Sequence, residues 1–527
     1  MKKILLFEEK LLLLILFLFL GIFLFLSNTF INLETFELKH WARHRDDFVF
    51  IYNSLLQSQN LPQNYLDHPS LFTFLIFPFF YKFFFLLGYL DFYDLDGLLI
   101  QSNIDYSLNQ LLLVSQIAIY LFSCVLIYFF FKIVKKFNGR KLDAFFLTIL
   151  LFFSTGFLHQ TSRIESGLIS TTLLMIGFFY LIKFIESKNT KSIFYFSLVI
   201  IFVLSAMMQK KLAYFTIPFF FISSIYFLKK NDENIFNFKL INFKYLLFLI
   251  YSFVVFLIVA KTFSFQDLSF KTKRDLDFIF LISNFFGFNL LLFFYIKYFQ
   301  NKNYQNLLVY NALLVGIYFI YQFFLIYLLS ANPKVWEVTF SNFIGHLNMF
   351  TNGDIKGEFE FISLSVYFKQ LINNFYKVFN KYFLIFSYQS LLIYLNLILL
   401  IFLIKSLRRK EILTIIFLLS GFIIFQTICN YRYENPAYFI FSEFLLLFSL
   451  SILLKKFTIN LKYYSFLIII LIPLVFANLD TWSVVSNLNK KNECNLVLPD
   501  KAKEDSFFTF FASRLPMETK LKLCLKN

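Results

Sequence analysis

Charged residues are scarce in this chain. Asp, Glu, Lys and Arg make up 15% of its 527 residues, while 59% are hydrophobic. A soluble globular protein carries roughly a quarter of its residues as charge, so a soluble fold of this size is excluded and lipid is the solvent. Cysteine is scarce too, with four residues. Cys124 and Cys429 sit in apolar runs without the paired spacing of a zinc or redox site, and pack most simply against core or lipid. Cys494 and Cys524 lie in a polar tail, where they could form a disulfide if that tail is outside the cytoplasm. Only 13 Gly and 9 Pro stand beside 84 Phe. With Lys far commoner than Arg, this is the signature of AT-rich coding, and no function is read from Phe abundance.

The charge that is present is patterned. A net +17 in a soluble protein would suggest nucleic acid, but here Lys collects in short connections between apolar runs, as in Lys132–Lys141 and Lys405–Lys410. That is the positive-inside pattern, and no nucleic-acid partner is expected. Met1-Lys2-Lys3 ahead of Leu11–Leu26 has no small-residue cleavage site, so it reads as a retained first helix with a cytoplasmic N-terminus.

A helical span needs about 20 mostly apolar residues. Further runs near 109–132, 143–158, 166–185, 193–209, 212–228, 245–261, 277–297, 306–330, 382–405, 411–428, 437–454 and 462–478 predict an all-α polytopic membrane protein of about thirteen transmembrane helices. Residues 1–478 form one transmembrane domain, with a long outer loop over 27–108 carrying interfacial helices; 479–527 form a short outer tail. Counting Leu71–Leu90 as a span would put Lys135, Lys136, Arg140 and Lys141 outside and an acidic stretch inside. Laying it along the outer interface, as Pro78 and Lys82 permit, removes both breaches. All five His residues then fall outside, and mid-span positions are nearly all apolar. No internal repeat of fixed period is apparent.

Four outer-side groups carry chemistry. The first loop contains Arg45-Asp46-Asp47 and, some twenty residues on, Asp67-His68-Pro69. Adjacent carboxylates at a membrane edge are costly unless paired, hydrated or used; a low-dielectric setting can tune one toward a general base. The plainer alternatives are Asp46 capping a helix that begins near Phe48, and His68-Pro69 opening a helix. The turn His159–Glu165 carries Arg163, either an anchor paired with Glu165 or a functional cation. Lys210-Lys211 put cations on the outer side against the general bias, either snorkelling or binding an anionic headgroup or phosphate. The turn Asn430–Pro436 holds Arg432 and Tyr433; belt aromatics explain the tyrosines, not the arginine. Arg163, Lys210 or Lys211 and Arg432 together make a lipid-phosphate clamp, since guanidinium grips phosphate oxygens bidentately.

This order of features resembles the GT-C superfamily of membrane glycosyltransferases, of the protein mannosyltransferase and aminoarabinose transferase type. The resemblance rests on Asp46-Asp47 just after the first helix, His68-Pro69, the middle-helix Lys210 or Lys211, and Arg432-Tyr433 with Pro436. It departs in having Asp-Asp for the commoner Asp-Glu, Ser70 after His68-Pro69, and a doubled lysine. The resemblance implies an inverting transferase in a bacterial inner membrane. It would move a sugar from a polyprenyl-phosphate donor to a lipid, glycan or protein acceptor on the periplasmic side. Asp46 would be the base, Asp47 would orient acceptor, base or metal, and His68 would hold sugar or a carboxylate. The resemblance assigns no cofactor, and a divalent metal on Asp46 and Asp47 stays open, since some relatives use one and others do not. Two rivals remain: a transporter or flippase of lipid-linked sugars, and an O-antigen polymerase or ligase working through the late loop 331–381 with Lys334, Glu337, His346, Asp354 and Glu358.

Overall fold

A computed structural model describes residues 8–22, 45–61, 70–101, 104–187, 190–210, 212–227, 317, 364–429, 436–457 and 461–477. Among these residues the regular structure is all helical, in keeping with lipid as solvent, because a helix satisfies its own backbone where no water can. The helices are α1 (8–22), α2 (Arg45–Ser58), α3 (Leu71–Leu86), α4 (Leu95–Leu99), α5 (Ile104–Asn138), α6 (Lys141–Phe152), α7 (Thr155–Ser162), α8 (Ser166–Glu186), α9 (Thr190–Gln209) and α10 (Ala213–Ser223). After them come α11 (Leu364–Leu384), α12 (Tyr388–Leu403), α13 (Arg409–Ile428), α14 (Ile440–Leu454) and α15 (Leu461–Phe476).

Among the described residues, six helices are long and apolar enough to cross a membrane: Tyr106–Asn138, Ser166–Glu186, Ser192–Gln209, Tyr388–Ser406, Arg409–Ile428 and Ala437–Leu454. A seventh is made if α6 and α7, bent by 64° at a short break, are one span. The expected span 143–158 is therefore not straight, and His159 to Thr161 belong to a buried helix and not to a turn. The span expected at 382–405 starts at Tyr388, because Ser387 caps α12 with a capping box. Residues 364–381 of the expected late loop are helical. Helix α10 is shorter than the run 212–228 and passes into a 3-10 turn, Ser224–Phe227. The runs 245–261, 277–297 and, save residue 317, 306–330 lie outside the described residues.

Helix α14 is the axis of the bundle, with every residue from Ala437 to Leu454 buried. Phe130, Phe137, Phe178, Phe220 and Phe444 surround Phe448 of this helix with ring centroids 5.3–6.3 Å away.

One end of the bundle is basic and cross-tied. Glu9 bonds Lys132 and Lys135, both at 2.5 Å, and Lys136 meets Glu186 at 2.7 Å. Arg140 donates to the carbonyls of Leu454, Lys455 and Phe457, and Lys456 pairs with Glu411 at 2.7 Å. The segments flanking α1, α5, α8, α13 and α14 thus share one end, which supplies a ruler. Helices α5 and α8 are tied at Lys136 and Glu186, so Ser115 and Ser166 each stand about 30 Å above that end.

Helix α3 meets the bundle at the end opposite the basic one. Its Phe72 and Thr73 amides are held by Gln209, which also bonds the Ser166 carbonyl, while Tyr81 bonds Ser115 at 2.7 Å. The contacts at Phe72 and at Tyr81 thus lie at similar heights above the basic end.

Candidate functional site

The end reached by α3 gathers the start of several helices. Ser70 precedes α3 in a left-handed conformation, φ 39°, fully buried, and among the described residues its hydroxyl has no hydrogen-bond partner. For a residue with a Cβ this costs on the order of 1 kcal/mol and marks a tightly determined position. Phe50 of α2 packs on Phe74 in the first turn of α3 at 6.0 Å.

Residues 45–58 are helical, so Asp46 and Asp47 lie within α2 and Asp46 is not the cap of a helix beginning near Phe48. The side chains of Arg45, Asp46 and Asp47 are outside the described residues, as are Asp67, His68, Lys211, Arg432 and Tyr433 entirely.

Lys210 follows Gln209 at the C-terminal end of α9. It is only 5% exposed, and its Nζ stands 5.1 Å from the centroid of the Tyr438 ring, a cation-π contact worth more once water is excluded. Arg163 closes α7 and has Glu165 at 3.7 Å. Polar links join the two cations: Gln160 donates to Glu165 (3.0 Å) and to the carbonyl of Ala437 (2.9 Å), the residue before Tyr438.

Three helix N-termini are capped by side chains of other elements, two at this end and the third, on Glu443, deeper in the bundle. Gln209 Oε1 accepts from the Phe72 and Thr73 amides of α3 at 2.8 and 3.2 Å, while its amide nitrogen donates to Thr73 Oγ1. Gln160 Oε1 accepts from Leu168 of α8 at 2.8 Å. Glu443 Oε2 accepts from Gly156 of α7 at 2.9 Å, and its other oxygen accepts from Gln389 at 2.7 Å. Helix ends leave amides without intrahelical partners, and in lipid those amides cannot turn to water.

Glu443 and its partners were missed in the sequence, where mid-span positions were read as nearly all apolar. Glu443 is fully buried on α14, eleven residues or about 17 Å from Leu454, and so near mid-height. The break between α6 and α7 and the start of α12 meet it there. Nearby, Gln426 donates to Ser442 Oγ at 2.8 Å and accepts from the Tyr382 hydroxyl at 3.3 Å. The available signal was the set Gln389, Gln426 and Glu443, each a polar residue within an apolar run.

Among the described residues no group of three or more His, Cys, Asp or Glu side chains is gathered as metal ligands; Asp46 and Asp47 fall outside that search. Cys124 and Cys429 are free thiols. Comparison with known proteins finds no family model that matches the chain and no matching curated protein.

Proposed function

We propose that the chain is an inverting glycosyltransferase that moves a sugar from a polyprenyl-phosphate donor to an acceptor at the end opposite the basic loops. In this reading that end is the periplasmic face of a bacterial inner membrane, with the N-terminus cytoplasmic, the tail 479–527 periplasmic and α3 lying in the interface. The observation that supports it is Lys210, a cation 5% exposed next to Gln209, which holds the N-terminus of α3, the helix on which Phe50 of α2 also packs.

Asp46 takes the proton from the acceptor hydroxyl, whose oxygen bonds to the anomeric carbon from the face opposite the phosphate. The anomeric C–O bond to phosphate breaks, and polyprenyl phosphate leaves. Asp47 orients the acceptor, and His68 with Asp67 holds the sugar. Lys210, Lys211 and Arg432 meet the charge that grows on the leaving phosphate, the contribution that usually dominates. Arg163 has Glu165 beside it, so it shares its charge. Arg45 and Tyr433 flank the acid pair and the late cation. Asp46 and Asp47 are also the candidate ligands should a divalent cation serve.

One observation favours a second reading. A buried carboxylate at mid-height beside a broken helix is the arrangement transporters use, so a transporter or flippase of lipid-linked sugar is the alternative. The residues on which a polymerase or ligase would rely, His346 among them, lie outside the described residues.

The test is purified protein in liposomes given labelled polyprenyl-phosphate sugar and candidate acceptors. Sugar transfer that falls at least 100-fold in Asp46→Asn while the protein stays folded supports the transferase. Movement of the intact lipid between leaflets without transfer, lost in Glu443→Gln, replaces it with the flippase.

A further inference from the structure

The basic end divides into two sectors. Around α1, α5, α6 and α8 the cations meet carboxylates: Lys132 and Lys135 share Glu9, Lys136 has Glu186, Arg140 has Asp143 at 3.6 Å and Lys141 has Glu8 at 3.3 Å. Where α13 starts and α14 ends, over residues 405–411 and 454–457, the one carboxylate is Glu411, and Lys456 takes it at 2.7 Å. Arg408 and Lys455 are exposed in this second sector, and among the described residues neither has a carboxylate within ion-pairing distance. The preference for cations on one side of a membrane does not by itself leave one sector neutralised and the other not.

The second sector is built on fixed backbone. Arg140 ties the carbonyls of Leu454, Lys455 and Phe457, and the Arg408 amide donates to Glu411 Oε2 at 2.8 Å, the oxygen that Lys456 also meets. Lys455 Nζ donates to the Tyr226 hydroxyl at 2.9 Å and lies 5.4 Å from the centroid of that ring, while Tyr226 donates to the Phe137 carbonyl at 2.7 Å. Burial pushes the Lys455 ammonium below the usual lysine range, and the charges of Lys456, Arg408 and Lys410 add to this against Glu411. Cations held side by side repel, and an anion between them removes the repulsion. Arg408 also opens a row along α13. At about 100° per residue, Arg408, Ile412, Ile416 and Ile423 fall within about 80° of one another. All four are exposed or partly exposed, Ile416 at 45%, on a helix long and apolar enough to cross a membrane.

We infer that the start of α13 and the end of α14 form a binding site for an anionic phospholipid of the leaflet at the basic end, with its phosphodiester between Arg408 and Lys455 and an acyl chain along Ile412, Ile416 and Ile423. The guanidinium of Arg408 can grip two phosphate oxygens, and Lys455, already oriented by Tyr226, adds a point charge. Basic pockets between membrane helices hold acidic headgroups in this way. The inference is independent of the transferase reading.

The test is native mass spectrometry of the full chain released from nanodiscs of phosphatidylcholine and phosphatidylglycerol. Phosphatidylglycerol is expected to be retained in preference to phosphatidylcholine. Arg408→Gln should lower its affinity about 5-fold, and Arg408→Gln with Lys455→Gln about 25-fold, the scale of losing one and two cations beside an anionic lipid. Should the double variant not fold, Arg408→Gln alone decides. Lys10→Gln with Lys183→Gln removes the same charge from the first sector and is expected to leave retention unchanged. A benzophenone side chain placed at position 416 is expected to cross-link phosphatidylglycerol, and to do so far less once Arg408 is replaced. Retention unaffected by Arg408→Gln, or lowered as much by the Lys10 and Lys183 pair, would overturn the site in favour of diffuse surface charge. Cross-linking at 416 indifferent to Arg408 would overturn the acyl-chain track.

Discussion

At position 443 the chain keeps a carboxylate in the most buried helix of the bundle, and its partners explain why it is tolerated. Both oxygens are occupied, by the Gly156 amide and by Gln389. Replacing Glu443 with Ala leaves those donors buried without an acceptor, a loss of about 1–3 kcal/mol. Glu443→Gln keeps an acceptor for Gly156 and is expected to lose less than half as much, read as the denaturation midpoint in detergent. Gly156 itself is fixed by space: a Cβ there would stand 2.0 Å from the Ile440 nitrogen, backbone that cannot swing aside. Gly156→Ala is expected to cost at least the ~1–3 kcal/mol of an overpacked core. Gly88→Ala meets no neighbour within 4 Å, and its cost comes only from its positive φ of 72°. The same midpoint measurement ranks the two, and a Gly156→Ala protein as stable as Gly88→Ala would contradict the close approach.

Among the elements, apolar length was legible wherever a helix meets lipid and runs straight. The runs 109–132, 166–185, 193–209, 411–428 and 437–454 each coincide with a helix able to span. Hydropathy sums over residues and is blind to direction, so it could not register the 64° bend after Phe152 or the new start at Ser387. The bend is held by the distant Glu443, and the start by a serine capping box that hydropathy does not weigh. Of the candidate site, Lys210 and Arg163 were legible because a cation beside an apolar run is conspicuous. Gln209 and Gln160, which tie them to α3 and α14, were not, since an amide has no charge to draw attention and its value lies in what it caps. Lys210→Met is accordingly expected to leave the fold intact, because Gln209 holds α3 independently. In the labelled-sugar assay it should lower transfer by about 100-fold, the scale of losing one group that stabilises transition-state charge.

Over the whole molecule the basic end acts as a clasp between the first helix and the rest. Glu9 lies just ahead of the apolar run that begins at Leu11. Burial alone would raise its pKa, but hydrogen bonds and charge from Lys132 and Lys135 outweigh burial and hold it below the usual glutamate range. A carboxyl with a lowered folded value stabilises fully above its unfolded value, about 4.3, and that contribution is lost as pH falls through the folded value. Acidification below about pH 4 is therefore expected to free α1 from α5, measured as thiol reactivity of Leu16→Cys, a position fully buried at neutral pH. Glu9→Gln should show that reactivity already at pH 7. Lys455, at the same end, is pushed down by desolvation and by Lys456, Arg408 and Lys410, with Glu411 opposing.

The cap that Glu443 places on α7 also sets a timetable for synthesis. The two residues it joins are 287 positions apart, and at about 5–20 residues per second a ribosome needs roughly 15–60 s to travel that distance. Throughout that interval α6 and α7 have left the ribosome while the carboxylate that completes their break has not been made. The first half of the chain therefore waits in the bilayer, unfinished at its bend, and the last third arrives as the piece that locks it.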